Sequence, residues 1–279
     1  MAIKTILAIM PDAAAAERVM RLATPLARKT GAHVIGLHVT EAIEVYAGVA
    51  MYVSVPDTER FTAAQAERAQ EIAAVFAKAT AGEDFVSEWR HVETRSATAS
   101  DRMVEHARAA DLVIMAQTDP RDEFGDGGAA LQRTIRKCGR PVLVVPYAGA
   151  FETVGAKALI GWSPTREAAR AAHDAIPLIE GGEAVILTAR HKSAEDSLPQ
   201  ETARELAAAY DRRGIRAEVV DRTDDGLAIG SVLENEAFER GADLIVTGAF
   251  GHSRVYDFVI GATTTHLLES MTVPVLFSS

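Results

Sequence analysis

A short apolar stretch occurs twice in this chain, as ADLVIMA at residues 110–116 and as ADLIVTG at residues 242–248. Each copy is followed by a helical segment and a second apolar run, RPVLVV at 140–145 and VPVLF at 273–277. Near-continuous runs of Ile, Leu and Val are typical of parallel strands that helices cover on both faces. The repetition predicts that the chain contains two copies of one α/β unit.

Each copy also opens with an apolar run, KTILAI at 4–9 and KALIGW at 157–162. The first copy is longer, and its surplus lies mostly in residues 41–57, which have no counterpart in the second copy. We therefore predict two domains, residues 1–148 and residues 154–279.

Within each half, five short apolar runs alternate with four longer helical patterns. The predicted strands are 3–9, 33–39, 85–93, 111–116 and 141–146, then 156–161, 183–188, 216–221, 243–248 and 273–278. The predicted helices are 14–29, 58–80, 99–109 and 129–138, then 165–180, 199–213, 226–240 and 261–271. This order predicts two tandem, doubly wound, five-stranded parallel sheets of the Rossmann-like type. Ligands of such sheets bind beyond the carboxyl ends of the strands, where the strand order reverses.

Three local features modify this pattern. FVSEWR at residues 85–90 alternates between apolar and polar residues, which predicts a strand at the edge of the sheet. Ser163 and Pro164 resemble an N-cap followed by proline in the first helical position. Pro177 lies inside the predicted helix 165–180 and should kink or shorten it.

Glycines cluster after the fourth predicted strand of the second half, in GAFGHSR at 248–254 and in GATT at 261–264. Gly248 and Gly251 allow a tight turn and a close approach of the backbone to a ligand, because glycine has no Cβ. Gly261 then presents free backbone N–H groups at a helix N-terminus, where the helix dipole favours an anion.

Polar side chains accompany these glycines. Thr263 and Thr264 supply hydroxyl groups, and Arg254 supplies a positive charge. His252 lies inside the motif and is the one histidine that we associate with a ligand. Together these groups favour a di- or triphosphate over a single carboxylate.

The spacing Gly-x-x-Gly, nine residues, Gly, after an Ala-Asp strand and before Pro-Val-Leu, resembles the nucleotide-binding signature of universal stress proteins. The resemblance implies an adenine nucleotide alpha hydrolase-like fold that binds ATP or another adenine nucleotide, with or without Mg. It implies that Gly248 and Gly251 line the ribose and phosphates, and that Gly261 and the next residue hold the phosphates. That next residue is Ala262, so one hydroxyl contact is missing unless Thr263 replaces it.

A second departure from the family concerns the end of the first strand, where the family carries an aspartate that contacts the nucleotide. The matching stretch here, IGWS at 160–163, has no aspartate. Trp162 could stack on a base, or it could fill the space of a nucleotide. The predicted site residues are Gly248, Gly251, His252, Ser253, Arg254, Gly261, Ala262, Thr263, Thr264 and Trp162.

The first half lacks the motif. The corresponding stretch is AQTDPRDE at 116–123, without either signature glycine. Asp119, Asp122 and Glu123 place negative charge where phosphates would lie, which opposes their binding. We predict that the first half is a partner domain.

Composition excludes several function classes. The net charge of −10 and the absence of basic clusters disfavour nucleic-acid binding. No apolar run reaches the ~18 residues that span a membrane. A single cysteine, Cys138, and the absence of a recognisable leader predict a cytoplasmic protein. Without Cys-x-x-Cys, His-Glu-x-x-His or another catalytic motif, we predict no metal site and no catalytic residue.

Three functions are consistent with these observations. The first is a stress-response protein that binds ATP or a related nucleotide in its second half and acts by binding, with at most slow hydrolysis. The second is a nucleotide-free module whose halves pack as a pseudo-dimer through their last strands and recognise a protein partner or a second copy. The third is an enzyme for a small substrate between the halves. The apolar insert at 42–53 could form a lid, a membrane-leaning patch or, our preference, a protein contact.

Overall fold

The computed structural model describes residues 2–42, 55–95, 97–121, 128–190, 198–250 and 260–279. The first half contains β1 (Thr5–Ile9), α1 (Ala13–Thr30), β2 (His33–Glu41), α2 (Val55–Thr80), β3 (Ser87–Thr94), α3 (Ala99–Ala107), β4 (Leu112–Ala116), α4 (Ala129–Lys137) and β5 (Val142–Val145). The second half contains β6 (Lys157–Trp162), α5 (Arg166–Asp174), α6 (Ile176–Ile179), β7 (Glu183–Arg190), α7 (Leu198–Asp211), β8 (Arg216–Thr223), α8 (Ile229–Arg240), β9 (Leu244–Gly248), α9 (Ile260–Ser270) and β10 (Val275–Ser278). The predicted α/β class and order of elements are confirmed.

All ten of these strands form one sheet, in the order β3-β2-β1-β4-β5-β10-β9-β6-β7-β8. Strands within each half run parallel, whereas β5 and β10 pair antiparallel, with Leu143 opposite Leu276. The strands of the first half therefore point in the opposite direction to those of the second half. Their carboxyl ends lie at opposite ends of the strands of the common sheet. In each half the strand order reverses at the first strand, β1 or β6.

Helices cover both faces of the sheet. Apolar residues of α1, α2, α5, α6 and α7 join one core, and those of α3, α4, α8 and α9 join the other. Along β1, Ile6 and Ala8 belong to the first core, while Leu7 and Ile9 belong to the second. Because successive strand residues point to opposite faces, a strand buried on both faces needs a continuous apolar run.

The repeated Ala-Asp pair has a structural role in each half. The Asp111 carboxylate accepts hydrogen bonds from the backbone N–H groups of Lys4 and Thr5. The Asp243 carboxylate accepts bonds from the backbone N–H groups of residues 155–157, at 3.0 to 3.1 Å. Each aspartate thereby ties the beginning of the fourth strand to the beginning of the first.

Of the local predictions, the edge strand and the interrupted helix are confirmed, whereas the N-cap is not. The alternating segment forms β3, which lies at the edge of the sheet as predicted. Pro177 lies in the first turn of a separate short helix, α6, so the predicted helix 165–180 is interrupted after Asp174. The predicted N-cap was wrong: Thr165 caps α5, because its hydroxyl oxygen accepts from the Ala168 N–H. Most of the apolar insert, at 43–54, lies outside the described residues.

Candidate functional site

The candidate site lies at the carboxyl ends of β6 and β9, which are neighbours in the sheet. Because the strand order reverses at β6, the chain leaves these two strands in different directions and opens a crevice between them. Helix α5 begins after β6, and α9 follows β9. The backbone N–H groups of the first turn of each helix belong to this edge of the sheet.

Gly248, the last residue of β9, is required by packing. A Cβ atom at this position would lie 2.6 Å from the backbone nitrogen of Ala168 and 2.7 Å from the backbone carbonyl carbon of Glu167. The first turn of α5 therefore rests directly on the end of β9. The absence of a side chain at Gly248 brings these two parts of the crevice together.

The next residues turn away from the sheet. The Ala249 N–H still donates to the Ser278 carbonyl oxygen, at 2.8 Å. Phe250 then adopts a left-handed backbone conformation with φ of 53°. Its ring lies under the guanidinium group of Arg136, whose Cζ is 4.2 Å from the ring centroid. Arg136 belongs to α4, in the other half of the chain.

The first turn of α9 is open. Gly261 and Ala262 are exposed, and among the described residues, apart from the chain neighbours and the backbone of α9 itself, no atom lies within 4 Å of the position that a Cβ would occupy at Gly261. Thr263 is half-buried, whereas Thr264 is only 1% exposed. Thr263 is therefore the more accessible of the two predicted hydroxyl groups. An exposed helix N-terminus beside a glycine-ended strand is chemically suited to bind an anion.

Four of the predicted site residues lie in the segment 251–259, outside the described residues. They are Gly251, His252, Ser253 and Arg254. Their roles are predictions from the sequence, and the described part of the site consists of the ends of β6 and β9 and the beginnings of α5 and α9.

Trp162 ends β6 and is held by α7. Its indole N–H donates to the hydroxyl oxygen of Thr202, at 3.0 Å, and its ring packs against the core beneath. Both predicted roles for Trp162 are compatible with this position. A base would stack only on the part of the ring that remains exposed.

Glu167 is a further residue of this crevice that no sequence motif indicated. Its backbone and Cβ lie beside Gly248, its side chain is largely buried, and its carboxylate accepts two hydrogen bonds from the Arg166 guanidinium group, at 3.0 and 2.7 Å. Arg166 itself is 84% exposed. The ion pair balances the negative charge of Glu167 close to the place where phosphates are expected.

The carboxyl ends of β1 and β4, which are the equivalent place in the first half, carry acidic residues that are already bound to other groups. The Arg121 side chain binds Asp119 and, together with the Arg121 backbone N–H, lowers the Asp119 pKa to about 2. The Asp119 charge that we expected to repel phosphates is thus paired with Arg121, while Asp122 and Glu123 lie outside the described residues. Asp12 is also engaged, because its carboxylate caps α1 by accepting from the Ala15 N–H.

His38 is a buried group at the same edge, which the sequence analysis did not single out. It is 3% exposed, and its Nδ1 lies 2.8 Å from the Met10 carbonyl oxygen, so Nδ1 carries the proton and donates. Burial lowers the His38 pKa. His91 stacks on it, with ring centroids 5.5 Å apart.

Metal sites and membrane-spanning helices were the two other features considered for the part of the chain that the structure describes. No group of three or more His, Cys, Asp or Glu side chains there could hold a metal ion. None of the described helices is long and apolar enough to cross a membrane.

Known proteins resemble the chain in sequence and in fold. The universal stress protein family matches residues 2–146 and again residues 161–278. The universal stress protein Slr1230 of Synechocystis sp. (strain ATCC 27184 / PCC 6803 / Kazusa) is 28% identical over 178 residues. That match covers 60% of this chain and 57% of the relative.

Solved structures share the two-part architecture. A universal stress protein from Archaeoglobus fulgidus DSM 4304 matches with a TM-score of 0.71 at 14% identity, covering 99% of this chain and 96% of the other. PA1789 from Pseudomonas aeruginosa PAO1, described as functionally unknown, matches with a TM-score of 0.57 at 17% identity, covering 99% and 92%. Shorter universal stress proteins, with TM-scores of 0.33, were solved in complexes with cAMP and with dAMP. The double family match shows that this chain belongs to the universal stress protein family as a tandem member.

Proposed function

We propose that this protein binds ATP or a related adenine nucleotide at the carboxyl ends of β6 and β9, and that it acts in a stress response by binding rather than by turnover. The observation that carries the proposal is the open first turn of α9. Gly261 and Ala262 are exposed there, with free space around Gly261, and they follow a strand that ends in Gly248. The triphosphate would be held by backbone N–H groups and by Thr263.

The two halves differ at this point, which supports a site in the second half. Gly128, the N-cap of α4, lies at the position that matches Gly261, but its backbone is left-handed, with φ of 83°. A Cβ at Gly128 would lie 3.2 Å from the Thr118 hydroxyl oxygen, whereas the same position at Gly261 is open. The beginning of α4 is thus partly covered by a side chain. The first half, which we assign to residues 1–148, would serve as a partner for residues 154–279.

Binding without efficient turnover agrees with the side chains nearby. The Glu167 carboxylate is occupied by Arg166, and the Trp162 indole is occupied by Thr202. Hydrolysis of ATP needs a group that orients or activates water, and these side chains already have partners. Mg, where required, would be bound mainly by the phosphates.

A pair of matched variants tests the location of the site. Ala262 in α9 and Ala129 in α4 are exposed alanines at equivalent positions in the first turns of the two helices. An aspartate at a helix N-terminus is compatible with the helix dipole, so both variants should fold. We expect Ala262→Asp to abolish ATP binding in calorimetric titrations, through charge repulsion, and Ala129→Asp to bind like the parent protein.

Two outcomes would contradict the proposal. Equal ATP affinity of Ala262→Asp and the parent would place the nucleotide elsewhere. No binding by the parent, with no adenine nucleotide released on denaturation, would favour the alternative of a nucleotide-free pairing module. The observation that favours this alternative is the antiparallel pairing of β5 with β10.

A further inference from the structure

Phe250 occupies an unusual backbone conformation at the entrance to the candidate site. It follows Gly248 by two residues, and its φ of 53° lies in the left-handed region. A residue with a Cβ rarely adopts this conformation unless its surroundings hold it there. The Phe250 ring is half-buried and packs against the core formed with α8 and α9.

The Phe250 ring is also contacted from the first half. The Arg136 guanidinium carbon lies 4.2 Å from the ring centroid, a distance at which the cation is attracted to the electrons of the ring. Arg136 lies in the last turn of α4 and is otherwise exposed. Its position over the ring favours the observed orientation of Phe250.

The first half also contacts the far end of the same segment. The Gln117 side-chain N–H donates to the Leu268 carbonyl oxygen at 2.8 Å, and this bond is buried. Leu268 lies in the last turn of α9, where helix carbonyls lack partners within the helix. The Tyr147 N–H fixes Gln117 by donating to its side-chain oxygen. Contacts from the first half therefore precede and follow the open turn at Gly261.

The Arg136 contact is not reproduced by the symmetry of the repeat. A backbone hydrogen bond closes the last turn of α4, and an equivalent bond closes the last turn of α9. When the two helices are aligned on these bonds, Glu269 takes the position of Arg136. The residue directly after β4 donates a backbone hydrogen bond to the last strand of its half, and the residue directly after β9 does the same. Aligned on these bonds, Thr118 takes the position of Phe250. A glutamate and a threonine cannot form a cation–aromatic contact. The contact thus goes only to the half that carries the glycine motif.

We propose that Arg136 is a positioning residue of the first half that holds Phe250, and with it the backbone at Ala249 and Phe250, in the conformation needed to bind nucleotide in the second half. The proposal rests on the proposed function for its effect on affinity. It has a readout of its own in the stability of the turn.

The test compares Arg136→Ala with Lys137→Ala, which removes an equal charge from the next position of the same helix. Exchange of the Ala249 amide proton, which donates to the Ser278 carbonyl oxygen, is measured by nuclear magnetic resonance without ligand, and ATP affinity is measured by calorimetry. We expect faster exchange and about 3- to 10-fold weaker ATP binding in Arg136→Ala alone. Arg136→Lys should restore part of both.

The outcomes separate this proposal from the proposed function. Equal exchange in the parent and both variants would overturn it, whether or not ATP binds. Faster exchange with unchanged ATP affinity would overturn the role of Arg136 in binding. If the parent does not bind ATP, the proposed function fails, and the exchange comparison still decides whether Arg136 holds the turn.

Phe250→Gly provides a second check, because glycine adopts a left-handed backbone readily and offers no ring to a cation. In this background we expect Arg136→Ala to have no further effect on exchange or affinity. The same loss in both backgrounds would show that Arg136 acts by another route.

Discussion

A Cβ on Gly248 would lie 2.6 Å from the backbone nitrogen of Ala168, so β9 and α5 meet backbone to backbone. Such a contact tolerates no added methyl group unless the helix moves. We expect Gly248→Ala to lower the free energy of unfolding by about 1–3 kcal/mol, measured by urea denaturation.

Gly261→Ala is the matched control, because no side chain or distant backbone among the described residues lies within 4 Å of the added atom, and Gly261 is already helical. It should leave the free energy of unfolding unchanged or raise it by up to about 1 kcal/mol. Equal destabilisation by both changes would contradict the contact at Gly248.

Asp243 is expected to contribute strongly to stability, because its carboxylate accepts three backbone N–H bonds from the entrance to β6. Asp243→Ala leaves those donors without a partner and should lower the free energy of unfolding by about 2–3 kcal/mol. Asp111→Ala, which removes two such bonds, should have a smaller effect in the same urea titration. The reverse order would contradict this interpretation.

Tyr210 is fully buried, and its hydroxyl donates to the Ala172 carbonyl oxygen at 2.7 Å. Tyr210→Phe keeps the ring but leaves that carbonyl without this donor. A decrease of about 1–2 kcal/mol in the free energy of unfolding is expected. No change in thermal or urea unfolding would indicate that the carbonyl finds another partner.

We predict that His38 makes the free energy of unfolding depend on pH. Burial lowers its pKa below the ordinary value of 6.5, so the unfolded chain takes up a proton more readily than the folded one. Stability should be unaffected by His38 above that value, fall as the pH drops through it, and level off below the pKa of the folded state.

Urea unfolding at about pH 7.5 and about pH 5.5 measures this dependence. His38→Leu should make the decrease shallower, and adding His106→Gln should make it shallower still, because burial also lowers the His106 pKa. The readout is the slope with pH, not the absolute stability. An unchanged slope in His38→Leu would show that other groups cause it.

Much of the fold could be predicted because a parallel strand that is buried on both faces needs a continuous run of apolar residues, which is visible in the sequence. The strands β1, β4, β6 and β9 are apolar runs, and the charged residues of β3 indicated an edge. Pro177 signalled a break in its helix, since proline cannot donate to the preceding turn. The N-cap was misplaced because Ser163 and Thr165 are both capable caps, and only the direction of the chain after β6 selects Thr165.

The candidate site could be located but not completed from the sequence. Glycine spacing indicates where the backbone can approach a ligand, and Gly248 and Gly261 lie at the predicted edge. The roles of Arg136 and Glu167 depend on contacts between segments far apart in the chain. Helical phase also decides that Thr264 is buried while Ala262 is exposed, and that phase depends on where α9 begins.

The antiparallel pairing of β5 with β10 joins the two halves within a single polypeptide. A partner on the same chain is present at a fixed effective concentration, so dilution does not remove it. A single-domain protein that relied on a second copy for the same contact would lose it as its concentration fell. Here Arg136 is supplied to Phe250 once per chain and at every expression level, whatever the concentration of the protein.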